Sequence, residues 1–415
     1  MQNTSSRRQF LATASAGAAL TCTATSYARI VGANERISIG LIGCGGRGYA
    51  AHMPGVHPHD KQQNVEFVAV SDPWRIRRER AAARCQEWYG RPARQFVSYR
   101  DILAQKDIDA VMIASCDHHH AMHLEAAAQA KKDAYCEKPL AMDMQSLKRT
   151  CAAVKASGIV AQMGTQVRSF ASSTGCRELF RSDAIGKVSR IEQCRNSTKP
   201  YWYSRLQDIK AEDVDWKEFL GDRPMRPFDG RLLTGWYGYR EFTDGPIANL
   251  GCHFIDLYNY IVGSTLPLSC VAQGGTFTWK DDNHFTCPDQ AQATWVYPEG
   301  FMVSYASNFS NGSGNVLKIY GDQGVIDLSK WQAPTYSNAG AIKPSKLPRE
   351  EKPVPPVETP DHFLNWLQCL RSRKACNAPI EAGYNHCVPA LMAMRAFDTG
   401  RRQIYDPQTQ DIREG

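Results

Sequence analysis

Apolar residues follow two rhythms along this chain. Over residues 37–163, short continuous apolar runs (37–42, 65–72, 110–114, 134–136 and 159–163) alternate with stretches at helical spacing (74–89, 121–131 and 144–157). The runs are short enough for buried strands, and the stretches between them long enough for crossover helices. Repeated β-α-β units of this length predict an α/β fold, a Rossmann-type doubly wound parallel sheet over residues 35–164. Further on the rhythm changes. Residues 290–296, 300–308 and 315–320 alternate apolar with polar positions, and Pro298-Glu299-Gly300 and Asn311-Gly312 separate them. Alternation with such turns predicts a large, mainly antiparallel open sheet, part of a C-terminal α+β domain over residues 165–415. A Pro-, Lys- and Ser-rich stretch, 332–360, reads as a surface loop, and two amphipathic helices, 361–373 and 384–399, follow it.

Residues 1–28 stand apart from this pattern. Ser6-Arg7-Arg8-Gln9-Phe10-Leu11 is a twin-arginine export signature, and Ser26-Tyr27-Ala28 offers a small-x-small cleavage site after a weakly apolar stretch. That stretch is too short and too polar for a stable membrane span, so a periplasmic protein is expected. With 415 residues, 43% of them hydrophobic, the chain can build two cores. The net charge of +7 comes without any dense basic block, which argues against a nucleic-acid partner. None of the 14 cysteines forms a C-x-x-C pair, so most are expected to be buried thiols.

The first apolar run leads into Gly43-Cys44-Gly45-Gly46-Arg47-Gly48, a G-x-G-x-x-G turn. Gly43 permits a sharp bend, Gly45 lets backbone approach a pyrophosphate, and Gly48 allows the following helix to pack closely. The second run ends in Asp72, about twenty residues further on, where a carboxylate can accept from ribose hydroxyls. The same carboxylate would repel a 2′-phosphate, which favours NAD over NADP, although Arg75, Arg77 and Arg78 lie close behind. Asp72 is also a candidate helix N-cap, with Pro73 at the first helical position.

Two other strand ends carry polar groups. Ser115-Cys116-Asp117-His118-His119-His120 follows one strand, and Cys136-Glu137-Lys138-Pro139 the other. His119 and His123 have the i, i+4 spacing of a zinc pair, but no separate cluster completes such a site, so no metal is expected. Glu137 and Lys138 are neighbours on extended chain and point to opposite faces, which disfavours a salt bridge between them.

Taken together, the glycine turn, Asp72, the Asp117-His118-x-His120 segment and Glu137-Lys138-Pro139 resemble the Gfo/Idh/MocA oxidoreductase family. The resemblance spans the whole first domain and continues into the second. It implies that Gly43, Cys44, Gly45, Gly46, Arg47, Gly48, Asp72, Ser115, Asp117, His118, His120, Glu137, Lys138 and Gln166 hold the cofactor, with Lys138 beside nicotinamide and a substrate hydroxyl. It also implies a homodimer or homotetramer formed through the open sheet. In the segment 245–261, Asn249 and His253 share a helix face and take the places of the family's acid and its histidine or tyrosine, so both join Lys138 as catalytic candidates. The family commonly has aspartate where this chain has Asn249, and proline where it has Cys116. Asp256 is a possible orienting group for His253. Arg168, Tyr201, Trp202, Trp236, Tyr237, Asn249 and His253 are the candidate substrate contacts, because aromatic faces beside hydrogen-bonding groups suit sugar rings.

The expectation is an NAD(H)-dependent oxidoreductase that moves hydride between a carbohydrate or polyol carbon and tightly bound nicotinamide. Two alternatives stay open at this point. One is a glycosidase that works by transient oxidation and elimination; the other is a non-catalytic sugar-binding relative.

Overall fold

The protein is described by a computed structural model that covers residues 36–264 and 266–415. The twin-arginine motif and its cleavage pattern lie outside the described residues. Six strands form the first sheet: β1 (Ile37–Ile42), β2 (Val65–Ser71), β3 (Arg94–Phe96), β4 (Ala110–Ile113), β5 (Asp133–Cys136) and β6 (Ala161–Met163). Their spatial order is β3-β2-β1-β4-β5-β6, and every neighbouring pair is parallel. Parallel pairs need crossover connections; α1 (Arg75–Tyr89), α2 (Asp117–Gln129) and α3 (Met144–Ser157) provide three of them. The order reverses direction between β1 and β4, which opens a crevice beyond their carboxyl ends.

The second sheet contains β7 (Val188–Asn196), β8 (Ser269–Gly275), β9 (Gln290–Val296), β10 (Met302–Asn308), β11 (Val316–Gly321), β12 (Gly324–Asp327), β13 (Thr335–Ser337), β14 (Lys352–Pro353), β15 (Gln403–Asp406) and β16 (Asp411–Glu414). These lie in the order β14-β13-β12-β11-β7-β10-β9-β8-β15-β16, antiparallel except where β7 meets β10. Alternation decides which face is covered. Ala291, Ala293 and Trp295 of β9, with Val303 and Tyr305 of β10, are buried on the inner face. Against that face lie α4 (Gly245–Asn249), α5 (Gly251–Val262) and, further along the chain, α7 (Ile380–Thr399), whose Pro389 carbonyl accepts from Trp295 Nε1 at 2.9 Å. On the outer face Val271, Val296 and Met302 are exposed, with Leu268 beside them.

The fold class is the expected one, but several strands are missing from the sequence reading. In β7, only Val188 and Ile191 supply aliphatic signal among polar neighbours, so its place in mid-sheet comes from pairing with β10 and β11 rather than from its own pattern. The stretch expected to be loop, 332–360, contributes β13 and β14 to the sheet edge.

One late segment returns to the first sheet. Helix α6 (His362–Ser372) sets Phe363, Trp366, Leu367 and Leu370 into the same core as Ile37, Ile39, Leu41 and Tyr135. Arg371 donates to the carbonyls of Gln63 and Asn64 just ahead of β2, and Arg373 pairs with Asp133 at the start of β5. The parallel sheet is thus sealed by residues about two hundred positions beyond its last strand. Trp366 is fully buried in this seal. Trp366→Ala is expected to cost about 3–5 kcal/mol of stability through lost burial and the cavity left behind. Urea unfolding of the two proteins would show it as a fall in midpoint.

Candidate active site

The glycine turn closes the carboxyl end of β1. Gly43 has φ +93°, and its N–H donates to Ser71 O at 2.8 Å. A Cβ there would lie 2.6 Å from the Ala114 carbonyl, and one on Gly48 would lie 2.0 Å from Gly43 O, so neither position admits a side chain. Gly45 and Gly46 instead border a cavity of about 680 Å³. A Cβ on Gly45 would stand 3.4 Å from the Arg77 guanidinium, and one on Gly46 would stand 3.2 Å from that of Arg205, which brings a chain segment of the second half over the turn.

Asp72 lines this cavity while tied to its frame. Its Oδ2 accepts from Cys44 N at 2.8 Å and its Oδ1 from Trp74 N at 2.9 Å. The helix behind it starts at Arg75 with Trp74 as N-cap, so Pro73 precedes the helix rather than opening it. The pre-proline position and the pull of the Asp72 carboxylate on the Trp74 amide hold that stretch extended. The three nearby arginines separate: Arg75 pairs with Glu79 and Asp213, and Arg78 donates to Asp72 O. Arg77 lies over the Trp74 ring and reaches the cavity.

Beyond β4 the polar loop divides by role. Ser115 faces the cavity. His118 and His120 are engaged by protein groups: His118 Nε2 is 3.2 Å from Phe219 O, and His120 spans the carbonyls of Pro139 (2.8 Å) and Ser115 (3.0 Å). Like Asp117, Glu137, Lys138, Gln166, Asn249 and His253, they stand behind the residues that line the cavity. The N-terminal turn of α2 directs these rings into protein. The residues one helical turn apart that do reach the cavity are His119 and His123, whose i, i+4 spacing was visible in the sequence. Their rings stack at 4.9 Å, and His123 Nδ1 lies 3.1 Å from Ser115 Oγ. Among the described residues no group of three or more His, Cys, Asp or Glu is placed to hold a metal. Cys44 is buried under the turn and contributes only its backbone N–H; like the other described cysteines it is a free thiol.

At the end of β5, Glu137 and Lys138 point apart as extended chain requires. Glu137 Oε1 accepts from Arg47 Nε, His52 Nε2 and Gln166 Nε2, each at 2.8 Å. Burial opposes its charge, but Arg47, His52 and Lys138 outweigh burial and hold the carboxyl well below the usual range. His52 went unnoticed in the sequence, where it is a lone histidine among small and apolar residues. Lys138 turns the other way and donates to Asn249 O at 2.7 Å, across to α4. The Asn249 side chain is engaged as well: Nδ2 donates to Asp117 at 2.8 Å, and Oδ1 accepts from Tyr201 at 3.1 Å.

His253, just into α5, has an Nδ1 with no hydrogen-bond partner among the described residues. Burial, followed by the Lys138 charge, holds this imidazole well below its usual range, so it is neutral at pH 7. Asp256 does not orient it. Asp256 is bound through both oxygens to Arg168, which in turn donates to Asn377 O, so Arg168 is an internal ion-pair partner rather than a surface waiting for sugar. Trp202 is likewise packed inside an aromatic cluster with Phe309 and Phe285. Trp236 and Tyr237, stacked at 3.7 Å, do line the cavity, and Tyr201 contacts Tyr237 edge-on. A further residue, His386 of α7, is fully buried and electrostatically close to Lys138 and His253; burial, Arg168 and Lys138 push it down to about 3.

Seven histidines are held neutral below their ordinary range: His52, His118, His119, His123, His253, His362 and His386, chiefly by burial. On unfolding each regains an ordinary value near 6.5, so below that pH the unfolded chain binds more protons than the native one. Asp244, raised to about 7 by burial, acts in the opposite sense, as do Asp117 and Asp256, also raised by burial, but the three are outnumbered. Stability is therefore expected to be full above about pH 7 and to fall steadily between about pH 6.5 and 4. Melting temperatures across that range, with net proton uptake on unfolding, would check it.

Residues 37–165 match the model of an oxidoreductase family with an NAD-binding Rossmann fold, and residues 218–327 match the Gfo/Idh/MocA C-terminal domain. Inositol 2-dehydrogenase 3 of Saccharopolyspora erythraea is 31% identical over 194 residues, 45% of this chain and 54% of that protein. Levoglucosan dehydrogenase of Pseudarthrobacter phenanthrenivorans is 26% identical over 249 residues, 57% of this chain and 54% of its own. The match thus spans about half the length of each of these relatives. In three dimensions, the aldose-aldose oxidoreductase from Caulobacter crescentus complexed with glycerol superposes with a TM-score of 0.66 at 19% identity, covering 89% of this chain and 99% of that one. Its likeness is one of fold. With a family model matched in each half, and the glycine turn set against the two polar strand ends, the chain belongs to the Gfo/Idh/MocA family of oxidoreductases and carries its NAD-binding Rossmann domain.

Proposed function

We propose that this protein is an exported, NAD(H)-dependent oxidoreductase acting on a hydroxyl-bearing carbon of a carbohydrate or polyol. The observation that carries this reading is the hydrogen bond from Lys138, at the end of β5, to Asn249 O in the second half, with neutral His253 four residues further on and within reach of the Lys138 charge. Bound nicotinamide supplies the hydride acceptor or donor. Gly45, Gly46, Asp72 and Ser115 are the cavity residues that suit the nucleotide, and the fixed Asp72 carboxylate favours a free ribose hydroxyl over a 2′-phosphate.

The Lys138 ammonium has three N–H donors, and Asn249 O takes one; the others can meet a substrate hydroxyl. His253, being neutral, can take up the proton that the hydroxyl gives up and return it in the reverse direction. Trp236 and Tyr237 offer an aromatic wall to the apolar face of a sugar ring. Asn249 acts by holding Lys138 rather than by touching sugar, since its side chain is committed on both ends. The twin-arginine motif and the Arg205 guanidinium set beside Gly46, with Trp236 and Tyr237 lining the same cavity, support a cofactor bound before export and regenerated in place. The relatives named for inositol and levoglucosan support the substrate class.

Protein purified without added nucleotide is expected to release NAD(H) on denaturation, and Lys138→Ala to lower single-turnover reduction of bound NAD by myo-inositol or levoglucosan by at least about 100-fold. A preparation with neither nucleotide nor affinity for it would refute the reading. Release of aglycone from aryl glycosides without net NADH would instead assign the glycosidase.

The same reading includes a homo-oligomer formed through the outer sheet face. Val296 lies directly opposite Met302 on β10, and Val271 and Leu268 flank it; exposures of 37%, 48%, 51% and 49% make this an apolar patch of the kind that marks an interface. Met302→Glu is expected to convert the assembly to monomers in analytical ultracentrifugation.

A further inference from the structure

Asp117 belongs to the parallel-sheet half, at the first turn of α2, yet its carboxylate serves the other half. It is 2% exposed, and Oδ2 accepts from Thr243 Oγ1 at 2.6 Å and from Asn249 Nδ2 at 2.8 Å. A carboxylate can only accept, so it decides which end of the Asn249 amide faces it. The amide nitrogen turns inward, and the carbonyl oxygen is left to accept from Tyr201. Asn249 is thereby clamped from two sides, and its main-chain oxygen is the one that Lys138 holds at 2.7 Å. Burying a carboxylate on two neutral donors is costly unless a positive charge lies near. Burial raises the Asp117 carboxyl above its usual range, and His120, Lys138 and the two donors pull it back without cancelling that rise.

We propose that Asp117 is a positioning residue for Lys138: it locks Asn249, which seats the ammonium, and it supplies across the interface the negative charge that residue 249 itself lacks. Asp117 and Asn249 form one unit, an acid and an amide. The unit requires the acid but not its location. This rests on the reading of Lys138 as the proton-transfer group.

The charge environment of Lys138 also includes Glu137 before it, Cys252 and His253 on α5, and His386 on α7. Asp117→Asn preserves shape and removes only the charge. The test is the pH dependence of Lys138 acetylation by brief pulses of acetic anhydride on the full-length protein as purified, without sugar, read by mass spectrometry. Losing a neighbouring negative charge makes an ammonium give up its proton at lower pH, so D117N is expected to shift the labelling midpoint down by about one unit. The exchange variant D117N/N249D, which puts the acid on the other side, is expected to return it to within about 0.3 unit of the starting protein. N249D alone places two carboxyls in contact and is expected to raise the midpoint, which gives a second arm should D117N fail to fold.

An unmoved midpoint in D117N or N249D, or an exchange variant that behaves like D117N, would overturn the proposal. Because labelling needs no sugar, the outcomes separate. A shifted midpoint in a protein that oxidises no sugar removes the proposed reaction and leaves the coupling. An unshifted one in an active enzyme removes the coupling alone.

Discussion

Glu137 is 3% exposed, and one of its oxygens accepts from Arg47, His52 and Gln166. An ionised carboxylate so deep in protein is tolerable only when donors and positive charge surround it, and each of those donors comes from a different piece of chain. Arg47 belongs to the glycine turn, His52 to the helical turn behind it, and Gln166 to the segment that leaves β6. The packing around this carboxylate is correspondingly tight: a Cβ on Gly164 would stand 2.7 Å from Glu137 Cδ. The phosphate-cradling turn and the β5 strand end therefore cannot move independently. The same extended chain that points Glu137 inward presents Lys138 to the second half, so the position of the Lys138 ammonium follows from the anchoring of its neighbour.

A second carboxylate, Asp117, performs the matching task across the domain boundary. Between them these acids fix the glycine turn, the end of β5 and α4 relative to one another. The rest of the boundary is consistent with a closed rather than a swinging joint. Trp74 bridges to Val214, Asp215 N donates to Pro73 O, and Ser98 Oγ donates to Glu218. The stretch from Asp213 to Gly221, whose purpose its composition does not reveal, is placed by these bonds along the mouth of the crevice.

What could be read from the chain is what depends on local pattern. The β-α-β rhythm, the steric need for Gly43 and Gly48, the carboxylate ending β2 and the opposed directions of Glu137 and Lys138 all follow from neighbours within a few residues, and all are found. The residues misread are those whose role is set by distant partners. Arg168 looks like a substrate contact until Asp256 is folded against it, and nothing beside His118 and His120 in the sequence announces that the carbonyls of Phe219 and Pro139 take up their rings. His52 and His386 gave no signal, since a lone histidine in a small, apolar neighbourhood is unremarkable in sequence; only burial beside Glu137 or Lys138 distinguishes them.

The return of α6 to the first sheet bears on the order in which this chain can be made. A ribosome delivers the glycine turn early and α6 some three hundred residues later, so the nascent nucleotide-binding half waits with one flank of its core uncovered. It cannot mature as an independent unit during synthesis. For a protein that we propose leaves the cell already folded and loaded, this couples the two events: acquisition of the cofactor is deferred until the chain is nearly complete. A prematurely terminated product would expose the apolar flank on which proteases and chaperones act, rather than reach the export machinery in a partly competent state.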